Sequence, residues 1–199
     1  MENKMFCFQC EQTAGCTGCT GKAGVCGKSA LTAKLQDQLT GALITLAKKN
    51  EINEVNTKVI IEGLFTTITN VSFNDETLNQ LIDKVHSLSG NTAYYDMSNL
   101  WNENEDIRSL KSLILFGIRG MAAYAYHAMV CNYTDNDVNE FFYTSLSAIG
   151  SDLTQEELLP LVLKTGEINL KCMALLDKAN TETFGNPEPT KVTLEIEKG

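Results

Sequence analysis

Leu64-Phe-Thr-Thr-Ile-Thr-Asn-Val71 and Phe142-Tyr-Thr-Ser-Leu-Ser-Ala-Ile149 are two versions of one apolar pattern, and their pairing decides the fold. Each is followed by a helix-capping residue, Asn74 or Thr154. Each cap then leads into apolar positions at helical spacing, Leu78/Leu81/Ile82 and Leu158/Leu161/Val162. The second start is the sharper one. Thr154-Gln-Glu-Glu157 is a capping box, with Leu153 and Leu158 in staple positions, and Phe73 is placed to staple Leu78 in the first. Two related three-helix units are the economical reading of this internal repeat.

Working outward, Leu31, Leu35, Leu39, Leu43 and Leu46 predict a helix from about Ser29 to Lys49. Val55 to Val71 reads as a second, rich in β-branched residues and therefore carried by packing. Asp106 to about Cys131, Asp135 to Ile149 and Thr154 to about Thr181 complete an all-α fold with the helix that opens at Asn74. The units span 29–90 and 106–185. Their connection, Ser89–Glu105 with a crossover at 91–105, carries Tyr94, Tyr95 and Trp101, read as aromatics capping the bundle ends. After Gly185-Asn-Pro-Glu-Pro189, Val192, Leu194 and Ile196 alternate with Thr193, Glu195 and Glu197. That predicts a short orphan strand, with 186–199 a linker into a further α/β domain.

Bulk properties bound the function. The chain has 199 residues, enough for one domain or two small ones sharing a core. A net charge of −9 argues against nucleic-acid binding. No apolar run reads as a membrane span, and Met1-Glu2-Asn3-Lys4-Met5 does not begin a secretory signal. A cytoplasmic, reducing setting follows, which disfavours a disulfide framework.

Chemistry is concentrated in residues 1–28. Five cysteines, Cys7, Cys10, Cys16, Cys19 and Cys26, lie there, and only Cys131 and Cys172 follow. Thiols this dense bind metal or cross-link. The glycines between them suit a loop wrapped around a bulky inorganic centre, and Lys4, Lys22 and Lys28 make that loop slightly basic, as an anionic metal–thiolate centre would favour. Four thiolates suffice for tetrahedral zinc or for an iron–sulfur cluster. Zinc sites use two well-separated close pairs. A Cys16–Cys19 pair so soon after Cys10 is cramped for that, and it strands Cys26.

Met5-Phe-Cys-Phe-Gln-Cys-Glu-Gln-Thr13, Gly18-Cys-Thr20 and Gly24-Val-Cys-Gly-Lys28 resemble the N-terminus of the hybrid cluster proteins, also called prismane proteins or hydroxylamine reductases. The resemblance continues through Arg108–His127, Met173–Asn180 and Phe184–Pro189. It implies four cluster ligands, Cys7, Cys10, Cys19 and Cys26, with Cys16 a bystander in the gap between Cys10 and Cys19. The eight-residue gap there is similar to that of family members with [4Fe–4S]. The six-residue gap from Cys19 to Cys26 is closer to that of the [2Fe–2S] members, so the chain departs slightly from both patterns; [4Fe–4S] is the expectation and [2Fe–2S] the alternative. The resemblance further implies that this chain is the N-terminal helical domain. It would pass electrons from a redox donor protein to a hybrid cluster in α/β domains not present here, where hydroxylamine or nitric oxide is reduced. No catalytic residue is assigned within the segment itself. A zinc-stabilised helical interaction module is the competing reading.

The remaining candidates have plainer expectations. His127 reads as a packed histidine and His86 as a surface residue near a helix C-terminus. Cys131 and Cys172 read as small hydrophobes, and Met121, Met129 and Met173 as core filler. No carboxylate pair stands out as a general acid and base.

Overall fold

The computed structural model describes residues 4–10, 18–68 and 71–188. Seven helices account for its regular structure: α1 (Ala30–Lys48), α2 (Glu54–Thr66), α3 (Asp75–Ser89), α4 (Met97–Trp101), α5 (Glu105–Val130), α6 (Asn136–Ile149) and α7 (Gln155–Phe184). Among the described residues there is no strand, only one isolated bridge between Cys7 and Cys19. The alternating Val192–Ile196 segment and Cys16 lie outside the described residues.

Helix starts follow local chemistry. Ser29, Asn53, Asn74, Asp135 and Thr154 each accept a backbone N–H from the first turn, a contact that stabilises a helix by about 1 kcal/mol. The Thr154 capping box closes in both directions, with the Glu157 carboxylate taking the Thr154 N–H at 2.8 Å. Phe73, the expected staple, is exposed while Leu78 is buried. Helices α3 and α7 stop at Gly90 and Gly185, whose φ of 63° and 84° few other residues adopt readily.

Helix α2 ends five residues short of the expected Val71. The Thr66 and Thr67 hydroxyls donate back to the carbonyls of Glu62 and Leu64, and the Thr67 N–H divides between Gly63 and Leu64. The last turn tightens there and the helix closes. Helix α4 falls within the crossover, where five residues are too few to show a period. Its Asp96 cap accepts the Ser98 N–H.

Helices α1, α2 and α3 pack on one another, as do α5, α6 and α7. The two sets also meet through α1 against α6 and α2 against α5. One apolar core runs through both, including Leu39, Leu43, Ile60, Leu64, Leu115, Ile118, Phe142 and Leu146. By length and composition α5 could cross a membrane, which the sequence reading did not anticipate. It lies against α2, α6 and α7 and buries Lys111 and Arg119 among its apolar residues. The crossover is tied down at both ends. Lys111, 1 % exposed, pairs with Glu103 at 2.7 Å. At the other end the Tyr95 N–H reaches the Gly41 carbonyl at 3.2 Å. A Cβ on Gly41 would lie 2.0 Å from the Tyr95 oxygen, so only glycine admits this approach.

Candidate metal centre

Cys7 and Cys19 are drawn together by a short antiparallel pairing. The Cys7 N–H donates to the Cys19 carbonyl at 3.1 Å, and the Cys19 N–H returns to the Cys7 carbonyl at 2.8 Å. Residues directly opposite in such a pair point to the same face. Gly18 turns the chain into this pairing at φ +72°, where a Cβ would press to 3.0 Å of the Cys7 carbonyl. Cys26 occupies the adjoining turn, closed by the Gly27 N–H on the Gly24 carbonyl at 2.9 Å. Its Sγ packs over Gly24, where a Cβ would also meet Met5 at 3.4 Å. Met5, Cys7 and Ala33 form a small buried cluster with Cys19 and Ala30 against it.

The structure therefore gathers Cys7 and Cys19 and sets Cys26 beside them. Cys10 is half-buried next to Gln9 and is not part of that small apolar cluster. Among the described residues, no three His, Cys, Asp or Glu side chains close around a point that could hold a single metal ion. Cys7, Cys19 and Cys26 carry free thiols.

Around Cys7 lies a polar chain that the sequence reading did not contain. Lys28 is 1 % exposed, and its Nζ donates to Cys7 Sγ at 3.7 Å and to Gln9 Oε1 at 2.9 Å. Gln9 is itself buried, and its Nε2 donates to Asp37 Oδ1 at 2.7 Å. Burial pushes the Cys7 thiol up from its usual range, and the Lys28 ammonium opposes that rise. The Asp37 residue keeps some exposed surface, but burial of its carboxyl raises it to about 6. The Gln9 hydrogen bond, Arg119 and Lys28 hold it back from rising further.

Arg119, 3 % exposed, is a further buried cation whose field reaches Asp37 and Cys7. Its Nε and Nη2 donate to Thr67 Oγ1 and Thr40 Oγ1, both at 3.1 Å. Both hydroxyls spend their own protons on helix carbonyls, which leaves their oxygens free to accept. Nη1 has no hydrogen-bond partner. Burial lowers Arg119 to about 10, with Asp37 and Cys7 opposing, so it stays charged at neutral pH.

The crossover closes the site from one side, contrary to the expectation that its aromatics only cap the bundle ends. Trp101 packs against Phe8 at 5.3 Å and Phe6 at 6.4 Å between ring centroids, the two residues that flank Cys7. A cavity of about 520 Å³ opens beside them, bordered by Phe6, Lys34, Asp37, Tyr94 and Trp101.

The other candidates fall away from this centre. Cys172 is buried, donates to the Met121 carbonyl at 3.4 Å, and is pushed up to about 11 by burial, which makes it an inert core thiol. Cys131 is half-buried at the end of α5. His127 is exposed, not packed in the interior, with Phe65 and Tyr126 edge-on to its ring. His86 is half-buried and stacks on Tyr94. Met121 is core, Met129 packs against the core, and Met173 is exposed, not filler.

The donor chemistry suits an anionic thiolate-bound centre. The sulfurs sit on a glycine-turned loop, and two buried cations stand by, Lys28 against Cys7 Sγ and Arg119 with its Nη1 donor unpartnered. The sequence matches the Prismane/CO dehydrogenase family over residues 5–199. It is 41 % identical to a hydroxylamine reductase of Chlorobaculum tepidum, in a match covering 94 % of this chain and 40 % of that protein. Hydroxylamine reductases of Porphyromonas gingivalis and Clostridium novyi are 38 % and 39 % identical, covering 98 % and 96 % of this chain and 42 % of each relative. The chain thus spans about two fifths of the length of the curated relatives it matches. Proteins of the prismane family bind iron–sulfur clusters.

Proposed function

The chain belongs to the Prismane/CO dehydrogenase family, and from that premise we propose that it is an iron–sulfur electron-transfer domain. The observation that carries the reading is the Cys7–Cys19 pairing with the buried Lys28 ammonium against Cys7 Sγ. Cys7, Cys10, Cys19 and Cys26 are the proposed ligands of a [4Fe–4S] cluster, with [2Fe–2S] as the alternative. When bound, the group supplies one-electron exchange at a potential tuned by hydrogen bonds to its sulfurs and by burial. The residues of this chain hold it, screen it with Phe6, Phe8 and Trp101, and balance its charge with Lys28 and Arg119.

In the longer protein, electrons would arrive from a redox donor protein and pass to a hybrid cluster in further α/β domains, where hydroxylamine or nitric oxide is reduced. The hydroxylamine reductases that this chain matches support that substrate class. Docking of those domains is supported by an exposed stripe on α7, Leu159, Leu163, Leu170 and Met173, which repeats at coiled-coil spacing. The organisation we infer is a cysteine loop at 1–28, three-helix units at 29–90 and 106–185 joined by 91–105, and a linker at 186–199. The repeat is supported by the packing. Exchanging α1, α2 and α3 for α5, α6 and α7 turns the α1–α6 contact into the α2–α5 contact. A cytoplasmic setting, without nucleic acid or membrane partners, fits the free thiols and the acidic charge.

The test is anaerobic reconstitution of the 199-residue chain with iron and sulfide, followed by dithionite titration. We expect a reversible one-electron couple and no hydroxylamine turnover. Hydroxylamine reduction by this chain alone, or a bound metal with no redox response, would overturn the reading.

A further inference from the structure

We propose that Lys28 is a positioning residue that raises the reduction potential of the iron–sulfur group by placing a positive charge and an N–H donor against Cys7 Sγ. The inference rests on the electron-transfer reading above and goes beyond it by naming the side chain that tunes the centre.

Lysine is rarely buried as deeply as Lys28, because removing an ammonium from water costs several kcal/mol unless an anion compensates. Its hydrogen-bond partners are one neutral amide oxygen, Gln9 Oε1, and one sulfur, Cys7 Sγ. Asp37 is reached only through Gln9. Asp37 meets part of that charge through the field, and the one sulfur in direct contact with the ammonium, Cys7 Sγ, is where a thiolate-bound anion would meet the rest.

The direction of approach is fixed rather than free. Gln9 spends its NH₂ on Asp37, so its oxygen faces Lys28, and one of the two donors left on the ammonium is aimed at Cys7. Backbone geometry supports the same placement. The Lys28 carbonyl accepts the Gly24 N–H at 2.8 Å, which holds Lys28 at the base of the turn that carries Cys26. Arg119 is too far into the helices to touch the loop sulfurs in the hydrogen-bond network. Its cation reaches Cys7 only through the field.

Reduction transfers one electron from a one-electron carrier, or from dithionite in the test. No bond in the protein breaks, and Lys28 keeps its proton. The centre gains one unit of negative charge, so a cation held at Cys7 favours the reduced form more than the oxidised form. A hydrogen bond to the sulfur acts in the same direction.

The experiment compares midpoint potentials of the reconstituted 199-residue chain and its variants by optical and EPR-monitored titration, with iron and sulfide measured on each sample. Lys28→Met should shift the reduction equilibrium toward the oxidised form by about tenfold, which is about 59 mV for a one-electron couple. Lys28→Arg should stay closer to the parent than Lys28→Met does. Gln9→Leu, which frees the lysine without removing its charge, should give a smaller fall of the same sign. Full iron and sulfide in Lys28→Met with an unchanged potential would overturn the proposal. If Lys28→Met cannot hold iron, Gln9→Leu decides, and an unchanged potential there overturns it equally. Absence of iron from the parent chain would instead defeat the electron-transfer reading on which the proposal rests.

Discussion

The helical body and the cysteine loop are held by different forces. The body closes on one continuous apolar core fed by all seven helices, with most helix starts capped by their own side chains. The loop has a single two-hydrogen-bond pairing, a three-residue buried apolar cluster and a polar chain from Lys28 through Gln9 to Asp37. An apolar core of the first kind stands by itself. The second holds a buried cation whose natural counter-ion is the centre it would bind. Apolar packing and the thiol-bearing polar network are thus divided between the two regions, which meet at α1, where Asp37 and Thr40 bond the buried polar groups while Leu39 and Leu43 face the core.

Four perturbations would break or sharpen that division, the largest expected effect first. Cys7→Ser should abolish iron retention almost completely while leaving the helical melting transition nearly unmoved, as read by metal analysis and far-ultraviolet circular dichroism. A melting transition that collapses with the iron would show that the two regions fold as one. Leu43→Ala should do the reverse, lowering stability by about 3 kcal/mol in urea titration through a cavity where α1 meets Gly63 of α2. Gly41→Ala is next, at about 1–3 kcal/mol, because its Cβ drives into the Tyr95 carbonyl. That variant bridges the regions, since displacing the crossover should also loosen Trp101 from Phe6 and Phe8, visible as a red-shifted tryptophan emission.

The smallest effect is one of pH. Asp37 has a folded-state pKa of about 6 against an ordinary 3.8. Below pH 3.8 the carboxyl is protonated in both folded and unfolded states, and it carries no penalty. Between pH 3.8 and 6 the unfolded chain gives up this proton while the folded protein keeps it, so stability falls across that window and levels off above it. Discounted for the partial exposure of Asp37, the loss is about 1 kcal/mol. Asp37→Asn should flatten this part of the profile, and an unchanged slope between pH 4 and 6 would assign it to other groups.

Much of the body was legible because its signals are local. Ser29, Asn74, Asp135 and Thr154 announce helix starts by their own hydrogen-bonding chemistry, and the leucine spacing of α1 announces its buried face. The overrun of α2 shows the limit. Ile68 and Val71 continue the apolar rhythm, while the Thr66 and Thr67 hydroxyls, bonding backward, end the helix first. Helix α4 has too few residues for any rhythm.

The site was legible only in its sulfurs. In sequence Lys28 is only one of three lysines that make the cysteine loop slightly basic. Its burial depends on Gln9 and on Asp37 of α1, which no spacing rule connects. Arg119 lies in a run of small residues on α5, and its role needs Thr40 and Thr67 from two other helices. Trp101 seemed a bundle cap because sequence does not say which end of the bundle the cysteine loop covers. Phe6 and Phe8, the residues on either side of Cys7, supply the answer.

The central claim is that the loop binds a redox-active iron–sulfur cluster, and iron, zinc and acid-labile sulfide analysis of anaerobically purified chain tests it most directly. The account predicts a brown protein with about four irons and about four sulfides per chain, and absorbance near 400 nm that dithionite bleaches. A colourless protein holding one zinc and no sulfide would contradict it and make the loop a structural metal site.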